Sequence, residues 1–164
     1  MDDHARKRKT YTPAEALQKI AAFCAYQERS HQEVASKLRS YGLDEDEAGE
    51  IMIRLVREKL LDDERFARSF VRGKYRLKKW GRRRIRQELK QRGLSEYCIK
   101  AGMSEIDGDE YYHNLRELLE KKNALEKEPN PHKRRQKLTL YATAKGYEGE
   151  FIQDALRELL GTER

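Results

Sequence analysis

The residues from Leu60 to Leu94 read LLDDERFARSFVRGKYRLKKWGRRRIRQELKQRGL, and they hold both the repeating unit and the excess charge of this chain. The opening, Leu60-Leu-Asp-Asp-Glu-Arg-Phe-Ala67, sets carboxylates ahead of an apolar pair. Acid at the positive end of a helix dipole, followed by a buried face, marks a helix start. Further along, Gly81 to about Gln91 reads as a short helix with Ile85 and Leu89 inward, and Gly93 stops it.

That pattern recurs on either side. With Gly93 aligned on Gly42 and Gly146, the residues eight earlier are Val34, Ile85 and Leu138. Four earlier stand Leu38, Leu89 and Ala142, and one later Leu43, Leu94 and Tyr147. Six, ten and thirteen later come Ala48/Ile99/Ile152, Met52/Met103/Leu156 and Leu55/Ile106/Leu159. Six apolar columns around a shared glycine, spaced by 51 and 53 residues, define a repeat. Each copy reads as a longer helix, a short helix, a glycine turn and a third helix. No run alternates as a strand does. The expected fold is all-α, an elongated tandem array of three three-helix units. The expected divisions are a disordered basic arm over 1–11, then units over 12–60, 61–107 and 108–164. Each unit alone is marginal in size, so neighbours must stabilise one another.

Helix starts support this register. Thr12-Pro13-Ala14-Glu15, Ser30-His-Gln-Glu33 and Asp44-Glu-Asp-Glu47 have capping residues at the required spacing. Leu17, Ile20, Ala21 and Cys24 mark the inner face of the first helix. Phe66, Ala67, Phe70 and Val71 do so in the second unit, and Leu115, Leu118, Leu119 and Leu125 in the third. Ile53, Val56 and Leu60 form a second apolar face on the third helix, expected to meet the next unit. Glu128-Pro-Asn-Pro131 adds a stop in the third unit, with Asn130 as cap and Pro131 at the first helical position.

Charge is distributed unevenly. Residues 1–60 and 108–164 are each net neutral, whereas 61–107 carry fourteen basic and seven acidic residues, which is the whole net charge of +7. A positive field concentrated in one third calls for a polyanionic partner, either nucleic acid or an acidic protein groove. Eleven Lys/Arg fall between Arg72 and Arg92 against Glu88 alone. On the short helix, Arg82, Arg86 and Lys90 stack four apart opposite Ile85 and Leu89, with Arg83 beside them. Lys78, Lys79 and Trp80 lead into it. These seven residues are the candidate contacts. Trp80 can stack on a base, or it can pack between units.

Other chemistry is not indicated. Cys24 and Cys98 are 74 positions apart, and His4, His31, His113 and His132 are scattered without metal-ligand spacing. Cys24 sits on an apolar stripe and is read as a buried thiol. Asp62-Asp63-Glu64 is read as cap and dipole partner, not as a metal or acid–base site. No phosphate loop or nucleophile motif is present. The expectation is a non-enzyme with no metal or cofactor. No signal peptide or membrane span is read, so a cytoplasmic protein is expected, and in the absence of a long coiled-coil seam a monomer. A helix-turn-helix reading is weak, because the three units share one geometry and only the middle one is basic.

Several of these segments resemble the RecX regulatory proteins, bacterial modulators of the RecA recombinase. They are Ser30-x-x-Glu33-Val34-x-x-Lys37-Leu38-x-x-x-Gly42, Leu60–Ala67, and Trp80-Gly-Arg-Arg-Arg-Ile-Arg-Gln-Glu-Leu-Lys-Gln-Arg-Gly93, with looser likeness over Pro131–Leu160. The resemblance implies a regulator built from three three-helix units that lodges in the groove of the RecA–single-stranded DNA filament. There it limits filament growth, ATP hydrolysis and strand exchange, in the setting of DNA repair, homologous recombination and the SOS response. The charge argument, not the resemblance, singles out the seven candidate contacts. The competing class is a free-standing, non-specific nucleic-acid-binding protein acting through the same basic unit.

Overall fold

The structure, a computed structural model, describes residues 10–162, and every regular element among them is an α-helix. The first unit contains α1 (Pro13–Tyr26), α2 (His31–Ser40) and α3 (Glu45–Arg57). The second contains α4 (Asp63–Arg76), α5 (Arg82–Gln91) and α6 (Glu96–Met103). The third contains α7 (Gly108–Leu125), α8 (Pro131–Lys145) and α9 (Gly149–Leu160).

The shared glycine is explained by the backbone. Gly42, Gly93 and Gly146 all have positive φ, at 83°, 75° and 100°. A side chain is strained there, so the turn between the second and third helix of each unit is written with glycine. The alignment columns before that glycine are buried in every unit: Val34 and Leu38, Ile85 and Leu89, Leu138 and Ala142. Past the glycine, an additional buried column holds Ile51, Gly102 and Ala155. It is small in two units because the helices approach closely. A Cβ on Gly102 would lie 2.9 Å from the Ala67 carbonyl oxygen of α4.

Three cores result, one per unit, and Ile106 packs against both the second and the third. Cys24 is buried and free, and burial raises its thiol pKa. Thr12, Ser30, Asp44, Asp62, Ser95, Asp107 and Asn130 each accept the backbone N–H three residues on. The helices without a side-chain cap are α5, preceded by Gly81, and α9, preceded by Glu148. Both belong to the contact between the second and third units.

Some expectations are corrected. Ile53 and Val56 are not buried against the next unit; they are 59% and 46% exposed. The corner between α1 and α2, not α3, meets the second unit, so this face of α3 stays open. Leu125 is 77% exposed and not part of the core. The chain beyond it folds back on Arg134, whose guanidinium donates to the carbonyl oxygens of Asn123, Glu126 and Glu128. Tyr111 takes an inward place on α7, and Tyr75 does so on α4. Of the arm expected over 1–11, residues 1–9 lie outside the described residues. Tyr11 is held, its N–H donating to the Tyr41 carbonyl at 3.0 Å.

The two contacts between units are built differently. Between the first and second, the His31 N–H donates to Asp63 Oδ1 at 2.9 Å. Arg65 Nε pairs with Glu28 at 2.6 Å, and Arg92 lies 4.0 Å from Glu33. Between the second and third, the amides of Gly81 and Arg83 donate to the carbonyls of Lys145 and Gly146, at 2.8 and 3.0 Å. The N-terminus of α5 thus docks on the C-terminus of α8, which satisfies donors that a cap would otherwise take. The Tyr147 hydroxyl donates to the Lys79 carbonyl at 2.8 Å, and Asn114 Nδ2 to the Tyr75 carbonyl at 2.9 Å. A Cβ on Gly81 would lie 2.1 Å from the Gly146 carbonyl carbon, so the two backbones meet with no room for a side chain.

Candidate functional site

The basic helix α5 begins with Arg82, Arg83 and Arg84 and has no acid in its first turn. Three cations at the positive end of a helix dipole are unfavourable in isolation. The third unit compensates. The Tyr111 hydroxyl accepts the Arg82 N–H at 2.9 Å and donates to Glu148 Oε1 at 2.8 Å. The Arg82 guanidinium reaches Glu148 Oε2 at 3.3 Å and lies 4.0 Å from the Tyr111 ring centroid. Burial is the main reason the Tyr111 phenol is pushed far up in pKa, and Glu148 adds to it, so the hydroxyl keeps the proton it donates. Arg82 therefore serves the contact between units.

The other predicted residues divide into two groups. Lys79 turns back to the third unit, with Nζ 2.9 Å from Asn114 Oδ1 and 3.8 Å from Glu117. Its backbone has a φ of 56°, uncommon for a residue with a side chain. Arg83 and Lys78 are exposed and have no carboxylate partner among the described residues. Arg86 and Lys90 share Glu96, at 3.1 and 3.7 Å, and that carboxylate is itself 68% exposed. Ion pairs of this kind contribute little stability and are readily exchanged for another anion. The row Arg82, Arg86, Lys90 thus does stack as expected, but its first member is committed inward.

Trp80 is half-buried against the second core, and it carries a cluster that the sequence reading missed. Its ring lies 6.4 Å from that of Phe70, edge to face. Arg84 sits 3.9 Å over the Trp80 ring and Lys74 4.7 Å from it. Lys74 and Arg92 are 5.3 and 4.8 Å from the Phe70 ring. The signal was present in the sequence as two rows, Phe70–Lys74 on α4 and Arg84–Glu88–Arg92 along α5 to its C-cap, each spaced by four. The acid triplet at the start of α4 is structural: Asp62 caps Arg65, Asp63 takes the His31 amide, and Glu64 pairs with Arg68. Among the described residues no cluster of three or more metal-ligating side chains occurs. No helix among them is long and apolar enough to cross a membrane.

A family model for the second three-helix domain of RecX matches residues 62–103, and one for the third matches residues 109–156. The regulatory protein RecX of Prosthecochloris aestuarii is 30% identical over 149 residues, covering 88% of this chain and 93% of that protein. That of Enterococcus faecalis is 32% identical over 143 residues, covering 87% of this chain and 54% of the other. That of Oceanobacillus iheyensis is 28% identical, covering 86% and 52%. The chain therefore spans nearly all of the first relative but about half the length of the other two. Among solved structures, RecX from Lactobacillus salivarius superposes with a TM-score of 0.80 at 22% identity, covering 90% of this chain and 96% of that one. A second crystal structure, titled regulatory protein RecX, gives 0.78 at 25% identity, covering 87% and 71%. Its three-helix units, the two domain models and the near full-length relative together place this chain in the RecX family of regulatory proteins.

Proposed function

We propose that this protein binds the RecA–single-stranded DNA filament and holds back its assembly, ATP hydrolysis and strand exchange, without catalysing a reaction itself. The observation that carries this reading is the placement of charge. The whole excess of +7 lies in the middle third, and there Arg83, Lys78, Arg86 and Lys90 face solvent or a solvent-exposed carboxylate. A nucleoprotein filament offers such a surface both phosphates and acidic side chains.

The distribution of acid speaks against reading duplex DNA. In a helix-turn-helix, the second helix of the pair enters the major groove by its N-terminal residues. Here those helices are α3, α6 and α9, and their first turns carry Glu45, Asp46 and Glu47, then Glu96, then Glu150. Each would bring carboxylates against phosphates. The basic helix α5 is the preceding one in its unit, which suits backbone contact and not base reading.

The test is the ATPase rate of a RecA recombinase on single-stranded DNA with this protein titrated in, beside a binding titration against the same strand without recombinase. The expected result is loss of hydrolysis at amounts well below one per recombinase, and well below those that saturate the bare strand. Loss of hydrolysis only at saturation of bare DNA would make the protein a competitor for the strand and overturn the filament-directed reading.

A further inference from the structure

We infer that the α4–α5 face of the middle unit is a seat for a single nucleic-acid strand, with bases packed on Trp80 and Phe70 and phosphates held by Lys74, Arg84 and Arg92. This inference deepens the proposed reading and rests on it, because it says which part of the filament touches this face.

The cluster has the composition that strand binding requires. Two rings lie 6.4 Å apart, and each has two cations within 5.3 Å of its centroid. Aromatic rings accept any base through its π face, and surrounding cations track the backbone. All five side chains are half-buried, so they are held in place yet still reach solvent. The Arg84 guanidinium carbon lies 3.9 Å from the indole centroid, and a planar guanidinium is itself a surface on which a base can stack while its N–H edge meets phosphate. Acid is sparse here: Glu88 pairs with Arg92 at 2.7 Å, and Glu33 stands 4.0 Å from the same guanidinium. Lys74 and Arg84 have no carboxylate partner among the described residues.

An acidic protein partner would use the cations but gain less from the rings. A duplex would present its phosphates with its bases stacked away inside. The paired rings therefore favour an unstacked strand over either.

Trp80 is the sole tryptophan, so its fluorescence reports this seat directly in the intact protein. The probes are a thymidine oligonucleotide, an abasic oligonucleotide of equal length and a poly-glutamate peptide, with binding followed independently by anisotropy of labelled probe. The thymidine strand is expected to quench Trp80 in step with binding, and the abasic strand to bind about ten-fold more weakly with little quenching. Arg84→Ala and Lys74→Ala, which remove cations without opening the core, are expected to flatten the salt dependence by about 0.7 each in logarithmic slope. Equal quenching by both strands would mean phosphate contact without stacking and would overturn the inference. So would quenching by poly-glutamate alone, strand binding that leaves Trp80 fluorescence unchanged, or no strand binding at low salt. The two readings fail separately: an Arg84→Ala protein that loses quenching yet restrains recombinase ATPase like wild type would show that the seat does not engage the filament, overturning the inference and leaving filament regulation standing.

Discussion

Ion pairs cross both contacts between units, as at Arg65–Glu28 and Arg82–Glu148, but among the described residues only the second adds backbone-to-backbone bonds and buried phenols. The first and second units meet through side chains at the surface: Asp63 on the His31 amide, Arg65 with Glu28, and Arg92 beside Glu33. The second and third meet through backbone and buried phenols: helix terminus on helix terminus, Gly81 against Gly146, Tyr111 and Tyr147 inside. Exposed ion pairs are screened by water and salt. Buried hydrogen bonds are not, and a glycine-to-glycine contact tolerates no slippage. The second and third units therefore behave as one body, and the first is attached to it by the weaker, salt-sensitive contact.

The sharpest way to break this comparison is to add one methyl group. Gly81 has an ordinary φ of −82°, so Gly81→Ala tests the collision with Gly146 alone. It is expected to cost about 3 kcal/mol in urea unfolding. Gly93→Ala is the control on the other side. Its Cβ would meet nothing nearer than Gln32 at 3.7 Å, and the φ of 75° accounts for a loss of about 1 kcal/mol. Equal losses would remove the distinction between the contacts.

Next in size is Tyr147→Phe, which deletes the bond to the Lys79 carbonyl and is expected to cost about 1 kcal/mol. Alkaline pH should act in the same place. Burial pushes the Tyr111 and Tyr147 phenols above their ordinary value of 10. Their contribution is therefore complete below pH 10 and lost as pH rises beyond it. Hydrogen exchange followed across that range is expected to show protection of α5 and α8 falling before that of α1 and α2.

The smallest effect belongs to the first contact. Glu28→Gln is expected to cost about 0.5 kcal/mol at low salt and nothing measurable at high salt. Native-state hydrogen exchange is expected to find α1–α3 opening at lower free energy than α4–α9, with the gap widening as salt is added.

The fold was legible because its markers are local. Gly42, Gly93 and Gly146 are required by positive φ, and caps such as Thr12, Asp62 and Asn130 act within four residues of themselves. The family-like segments read on the same residues led to the family that the comparisons show. The contacts between units were not legible, because they join residues up to 68 positions apart, as Tyr147 joins Lys79. Tyr147 was legible as a member of an apolar column, but the burial of Tyr75 and Tyr111 was not, and the hydroxyl partners of all three are revealed by no periodicity. The candidate surface was legible as charge and not as direction. Arg82 and Arg83 are adjacent and identical in type, yet one is spent on Glu148 and Tyr111 while the other faces solvent. Likewise the apolar face of Ile53 and Val56 was visible, but not that the first unit turns a different corner toward its neighbour.

The most direct test of the account is charge reversal on the outer face of α5 alone. Arg83→Glu, Arg86→Glu and Lys90→Glu are combined, and affinity for a recombinase–single-stranded DNA filament is measured beside far-ultraviolet circular dichroism. The account predicts that filament binding is lost while helicity is kept, since none of the three side chains supports a core or the contact with the third unit. A reversed protein that binds the filament with wild-type affinity would contradict it and move the working surface off the middle unit.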